Sequence, residues 1–159
     1  MGKPMGNGIP ISGLAAKEDV LAAFSDKLPY FNTFGGNPVS IAAAQAVLKY
    51  IKDENLQEHC KKAGAALLKA LKEVQERHPE SVGDVRGAGL FLGFEFVKND
   101  GNKTPDKDMA LNVIEMLRDE HILTSVIGHY GNILKLRPPM VFSENDIAVS
   151  YTHLRAHET

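Results

Sequence analysis

The sequence predicts an α/β fold, with the loop-rich end of one domain closing on a long helix and a compact α/β domain following it. Three observations lead there. Asn37-Pro38 is a strong helix start, because an asparagine side chain caps free amides and proline suits the first helical position. A second amphipathic stretch, with Cys60, Leu67, Leu71 and Val74 on one face, follows it. From Val82 onward the order reads strand, strand, helix, strand, strand, helix start.

Taken in order, Gly2-Lys3-Pro4-Met5-Gly6-Asn7-Gly8 is too rich in Gly and Pro for a helix or interior strand and reads as a tight loop. Ile11 to Ala16 is expected as a short buried strand, Asp19 to Phe24 as a short helix, and Pro29 to Gly36 as another loop. In the helix after Asn37, residues Ala44, Val47, Leu48 and Ile51 fall at i, i+3, i+4 and i+7, which predicts one buried face. In the next helix Lys61, Lys62, Lys69, Lys72, Glu73 and Glu76 mark the solvated side. Two strand-like runs lie between Val82 and Val97, separated or bent at Gly87 and Gly89. Thr104-Pro105 repeats the cap-then-proline signal before a helix with Met109, Val113, Met116 and Leu117 on its apolar face. Ile122 to Ile127 and Ile133 to Leu136 read as strands joined through Gly128 to Gly131. There is no internal repeat and no low-complexity tract.

With 159 residues, 43% of them hydrophobic and 24% charged, the chain has an ordinary globular composition. A net charge of −2, with both signs interspersed, gives no general pull toward nucleic acid or anionic membrane. The single cysteine, Cys60, excludes an intrachain disulfide and, with no second thiolate, argues against a zinc site. His59 and His78 lie on or beside a polar helix and His121 and His129 in turns, so no metal site is expected. No apolar run approaches a membrane span and no signal peptide opens the chain, so a cytoplasmic location is expected unless an upstream segment holds an organellar signal.

Two loops have the character of a reactive site. Lys3 is flanked by Gly and Pro with further glycines beyond it, where a ligand can approach the backbone closely, and an amine held away from water serves as a Schiff-base nucleophile. Phe31-Asn32-Thr33-Phe34-Gly35-Gly36-Asn37-Pro38 sets a hydroxyl and two glycines before a helix N-terminus, a favourable place for phosphate. Each loop alone also fits a plain turn, with Lys3 exposed and Thr33 as a local turn hydroxyl.

The two loops in sequence, followed by Gly-Asp-Val-Arg-Gly-Ala-Gly-Leu-Phe-Leu-Gly at Gly83 to Gly93, resemble the successive signatures of the class III aminotransferases, pyridoxal phosphate (PLP) enzymes of fold type I. The resemblance covers Met1 to about Ala148. It implies that Lys3 forms the Schiff base with PLP and shuttles the substrate proton, and that Thr33 reaches the cofactor phosphate of a neighbouring subunit in a homodimer. Arg86 is given only a turn-stabilising role. Asn132-Ile133-Leu134-Lys135-Leu136-Arg137-Pro138-Pro139 resembles the family's carboxylate-binding strand. A lysine, Lys135, stands there in place of the usual arginine, and Arg137 projects on the same side two residues later. Either is a candidate for substrate carboxylate or phosphate, the alternative being that both are structural charges at a domain surface.

The resemblance implies a transfer of an amino group between an amine or amino acid and a keto acid. The alternatives are a phospholyase acting on phosphorylated amino alcohols, a branch that the Lys-x-Arg-Pro-Pro run together with the Phe-Asn-Thr-Phe-Gly-Gly loop looks closest to, or a non-catalytic binding module. The expected domains are 1–53, the end of the large PLP-binding domain, and 54–148, the small C-terminal domain. Residues 149–159 do not continue the family's last helix. They read as a translated sequencing adapter, which sets aside His153 and His157 despite their i, i+4 spacing. Family members are much longer, so the chain is expected to be a C-terminal fragment that lacks most cofactor contacts and is inactive when isolated.

Overall fold

The computed structural model describes residues 1–143 and 145–147. They form two compact units, Met1–Asn55 and the residues from Leu56 onward. The stretch 149–159, set apart in the sequence, lies outside the described residues.

In the first unit, Lys3–Gly6 forms a 3₁₀ turn with Pro4 near its start, packed against the long helix of the same unit. Two helices follow, α1 (Glu18–Ser25) and α2 (Pro38–Asp53). The Asn37 side chain accepts from the Val39 and Ser40 amides at 3.0 and 3.2 Å, and Pro38 opens the helix, as expected. Two expectations fail here. Ile11 to Ala16 is not a strand: the Met1 ammonium and the Gly13 amide exchange hydrogen bonds with the opposite carbonyls at 2.8 and 2.9 Å, closing a loop rather than building a ladder. The apolar face of α2 is not buried either. Ala44, Val47 and Ile51 are half-buried and Leu48 is exposed, because this unit supplies no second apolar layer to cover them.

The second unit has a closed core. Helix α3 (Leu56–Arg77) buries Ala63, Gly64, Leu67, Leu71 and Val74 while the predicted lysines and glutamates face solvent. Strands β1 (Val82–Ala88), β2 (Phe91–Phe96), β3 (Ser125–Ile127) and β4 (Ile133–Leu136) form one antiparallel sheet in the order β1-β2-β4-β3. Helix α4 (Lys107–Asp119) connects β2 to β3. The predicted order thus holds, with residues 145–147 helical. The period-2 alternation of β2 puts Leu92, Phe94 and Phe96 into one cluster with Val85, Leu134, the α3 leucines, Ala110 and Leu117. Phe94 and Phe96 stack edge to face at 5.2 Å. Leu71 is 1% exposed, so its truncation to Ala should cost about 2–5 kcal/mol.

The start of α4 differs from the prediction. Asp106, not Thr104, caps the helix by accepting from the Met109 amide at 2.9 Å. Pro105 is occupied in an isolated bridge opposite Val97, and this extended backbone keeps Thr104-Pro105 out of the helix. Strand β3 is also shorter than its apolar run, since Ile122 donates its amide to Leu117 at 2.8 Å and stays with the end of α4.

Helix α3 meets the sheet through a backbone contact. A Cβ on Gly64 would lie 2.1 Å from the Gly89 carbonyl oxygen. Gly89 itself turns the β1–β2 hairpin at φ +54, a conformation that glycine adopts without strain.

Candidate functional site

The residues singled out by sequence are divided between the units, Lys3 and Thr33 in the first, Lys135 and Arg137 in the second. Lys3 begins the 3₁₀ turn, whose ends are fixed. Asn7 closes it in the left-handed region at φ 48 with its amide on the Pro4 carbonyl at 3.0 Å. Gly6 is buried, and a Cβ there would meet the Ile11 methyl at 2.8 Å. The backbone that carries Lys3 is therefore held by the loop's own packing.

The second loop turns on Asn32, whose side-chain oxygen accepts from the Phe34 amide at 3.2 Å and whose carbonyl accepts from the Gly35 amide at 3.1 Å. Gly36 follows at φ +75. The first free amides of α2 are already taken by Asn37, so the helix N-terminus is less open to phosphate than the glycines suggested. What remains is Thr33, which is exposed and makes no hydrogen bond among the described residues. Around it Tyr30, Phe31 and Phe34 are 77%, 85% and 83% exposed, far more apolar surface than one loop normally presents to water.

In the second unit, the face of the sheet away from the helices carries the charges. Register puts Arg86, Gly93, Lys135 and Ser125 in one row across β1, β2, β4 and β3. Arg86 stands in β1 next to the β1–β2 turn, and its Nη1 donates to Asp84 Oδ2 at 2.5 Å and, across the hairpin, to Glu95 Oε2 at 2.7 Å. Glu95 and then Asp84 push its pKa up further, so its charge is fixed and already neutralised. Lys135 and Arg137 make no ion pair among the described residues. Both line a cavity of about 470 Å³ with Thr124, Ser125, Leu123 and Phe142. Its far wall is clipped to α3, where His59 Nε2 contacts the Phe142 carbonyl at 2.9 Å and Cys60 donates to the Met140 carbonyl at 3.6 Å. Burial pushes the Cys60 thiol up, so it is not an activated nucleophile.

Sequence reasoning missed Asn132, Glu95 and Thr124. Asn132 is 1% exposed; its amide donates to the Phe96 carbonyl at 2.8 Å and approaches Glu95 Oε1 at 3.4 Å. Thr124 Oγ1 donates to the Lys135 carbonyl at 2.9 Å. A Gly-Asn pair before an apolar strand was the available signal for Asn132; nothing local marked the other two.

The first unit thus carries a lysine on a hydrogen-bonded turn and an exposed hydroxyl on a glycine loop, and the second carries two cations beside a cavity. The chain matches the class-III aminotransferase family over residues 1–156 and belongs to it; the match runs into the stretch set apart above. It is 45% identical over 155 residues to ethanolamine-phosphate phospho-lyase homolog 1 of Caenorhabditis elegans, covering 97% of this chain and 33% of that protein. To the alanine–glyoxylate aminotransferase 2-like protein of Drosophila melanogaster it is 40% identical over 146 residues, 91% of this chain and 29% of that one. A solved Arthrobacter phospholyase in complex with phosphoethanolamine superposes with a TM-score of 0.90 at 37% identity, covering 100% of this chain and 38% of that chain. The chain thus spans about a third of the length of these relatives, and its fold is that of the fold type I enzymes.

Proposed function

We propose that the chain is part of a PLP-dependent enzyme that eliminates phosphate from a phosphorylated amino alcohol. The observation that carries this reading is the pair of cations at the end of β4. Lys135 and Arg137 remain unneutralised among the described residues while Arg86 is doubly paired, and a lysine point charge beside an arginine fork matches the two charges and several acceptor oxygens of a phosphate dianion. The phosphoethanolamine-bound relative supports the same substrate class. Amino-group transfer to a keto acid is the second reading, favoured by the likeness to the alanine–glyoxylate aminotransferase 2-like protein.

On this proposal, residues up to Asp53 end the cofactor domain and those from Glu54 form the small domain. Lys3 and Thr33 hold PLP, Lys3 through its amine and Thr33 through its hydroxyl to the phosphate. When bound, PLP supplies an aldehyde for the amine and an electron sink for the breaking bond. The Lys3 amine moves the proton at the amine-bearing carbon, and Lys135 and Arg137 orient the anionic end and stabilise the charge that departs with it. The exposed Tyr30, Phe31 and Phe34 support a homodimer in which Thr33 serves the partner's cofactor.

Borohydride reduction of the full-length protein followed by peptide mapping should find PLP on Lys3, and label on another lysine would sink the assignment. Release of inorganic phosphate from phosphoethanolamine without a keto acid separates the two activities. Turnover that requires a keto acid and leaves phosphate esterified would establish the second reading.

A further inference from the structure

The charge on Lys135 is useful only if β4 presents it at a fixed place, and β4 is poorly equipped to do so alone. It has four residues, its outer neighbour β3 is a three-residue edge strand, and the chain then enters Pro138-Pro139. Proline has no amide hydrogen, so the ladder cannot continue past that point. Lys135 therefore sits one residue from the place where pairing stops.

Two side chains compensate. At the start of β4, Asn132 is bonded to the Phe96 backbone through both its main chain and its side chain. At the other end, the Thr124 hydroxyl donates to the carbonyl of Lys135 itself, at 2.9 Å and partly buried. Thr124 lies just before Ser125, the β3 residue paired with Lys135, so its side chain adds a second tie from the edge strand to the residue that carries the charge. We infer that Thr124 is a positioning residue for substrate-anion binding, acting through Lys135 rather than on substrate.

This inference rests on the proposed anion role of Lys135, and its test keeps the two apart. Thr124→Val, Thr124→Ser and Lys135→Met are made in the full-length protein. KM and kcat for phosphoethanolamine are measured together with the thermal midpoint. Thr124→Val removes the hydroxyl at nearly constant shape and should raise KM about three- to tenfold, the worth of one hydrogen bond, with kcat within about twofold. Thr124→Ser should restore KM. An unchanged KM in Thr124→Val beside a raised KM in Lys135→Met overturns the role of Thr124 and leaves that of Lys135 standing. An unchanged KM in Lys135→Met overturns the anion assignment and this inference with it. A fall in kcat and thermal midpoint that Thr124→Ser does not repair overturns the positioning role in favour of a purely structural one.

Discussion

Asn132 and Phe96 bind each other twice: the Phe96 amide donates to the Asn132 carbonyl at 2.9 Å, and the Asn132 side-chain amide donates to the Phe96 carbonyl at 2.8 Å. The pair fixes the register of β4 on β2 from inside the sheet. Asn132→Ala removes one of the two donors to the Phe96 carbonyl, the Asp106 amide at 3.1 Å being the other, and should cost about 0.5–1.5 kcal/mol. Equilibrium denaturation measures it, and a loss below about 0.5 kcal/mol, the range of an ordinary surface substitution, would contradict the clasp.

The approach of α3 to the β1–β2 turn admits no side chain. A Cβ on Gly64 would overlap the Gly89 carbonyl oxygen at 2.1 Å and its carbon at 2.2 Å. Both are backbone atoms, so relief requires moving the helix. Gly64→Ala should lower stability by about 2 kcal/mol or more, although alanine is the better helix former. A thermal midpoint at or above that of the parent would refute the contact.

Thr33→Ala should loosen the cofactor without removing its attachment lysine. Loss of a hydrogen bond to a charged phosphate should weaken PLP retention about tenfold. The test is the rate at which the cofactor absorbance is lost on dialysis of the full-length protein, with Thr33→Ser expected to retain the group. Equal retention in the alanine variant would remove Thr33 from the site.

Asp100 holds its loop through hydrogen bonds from the Thr104 hydroxyl and the Asn102 amide, and these depress its pKa. A carboxylate whose pKa is lower folded than unfolded adds stability above its unfolded value, about 3.9. That stability fades as pH falls from there through the folded value. Asp100→Asn should therefore be less stable than the parent at neutral pH, with the difference vanishing as pH falls below about 4. NMR titration of the Asp100 carboxyl should give a midpoint below that of a peptide aspartate; a midpoint at or above it would count against these bonds.

Much of the second unit was legible because its signals are local. Alternation in Leu90 to Val97 gave β2, and the charge pattern of Lys61 to Glu76 gave the exposed side of α3. The failures share a cause. Ile11 to Ala16 has the composition of a strand but no partner strand, and α2 has an apolar stripe without a covering layer in its unit. Thr104-Pro105 carries a helix-start signature that Asp106 overrides because Pro105 is bridged to Val97. At the site, Lys3 and Thr33 were readable from motif chemistry. The roles of Asn132, Glu95 and Thr124 depend on partners 36, 9 and 11 residues away, distances over which no sequence window reports.

The apolar core is confined to the unit that begins at Leu56; in Met1–Asn55 only Gly6 is buried among the residues whose burial is described. Protection of backbone amides against exchange with solvent should follow that division. The sheet and α3 should open only with global unfolding, whereas the Lys3 turn and the Thr33 loop have little burial of their own to slow local opening. The lysine proposed to do the chemistry then stands in the part of the chain with the least intrinsic resistance to unfolding. A cofactor bound there would also act as a stabilising ligand, raising the unfolding temperature with the logarithm of its free concentration above its dissociation constant.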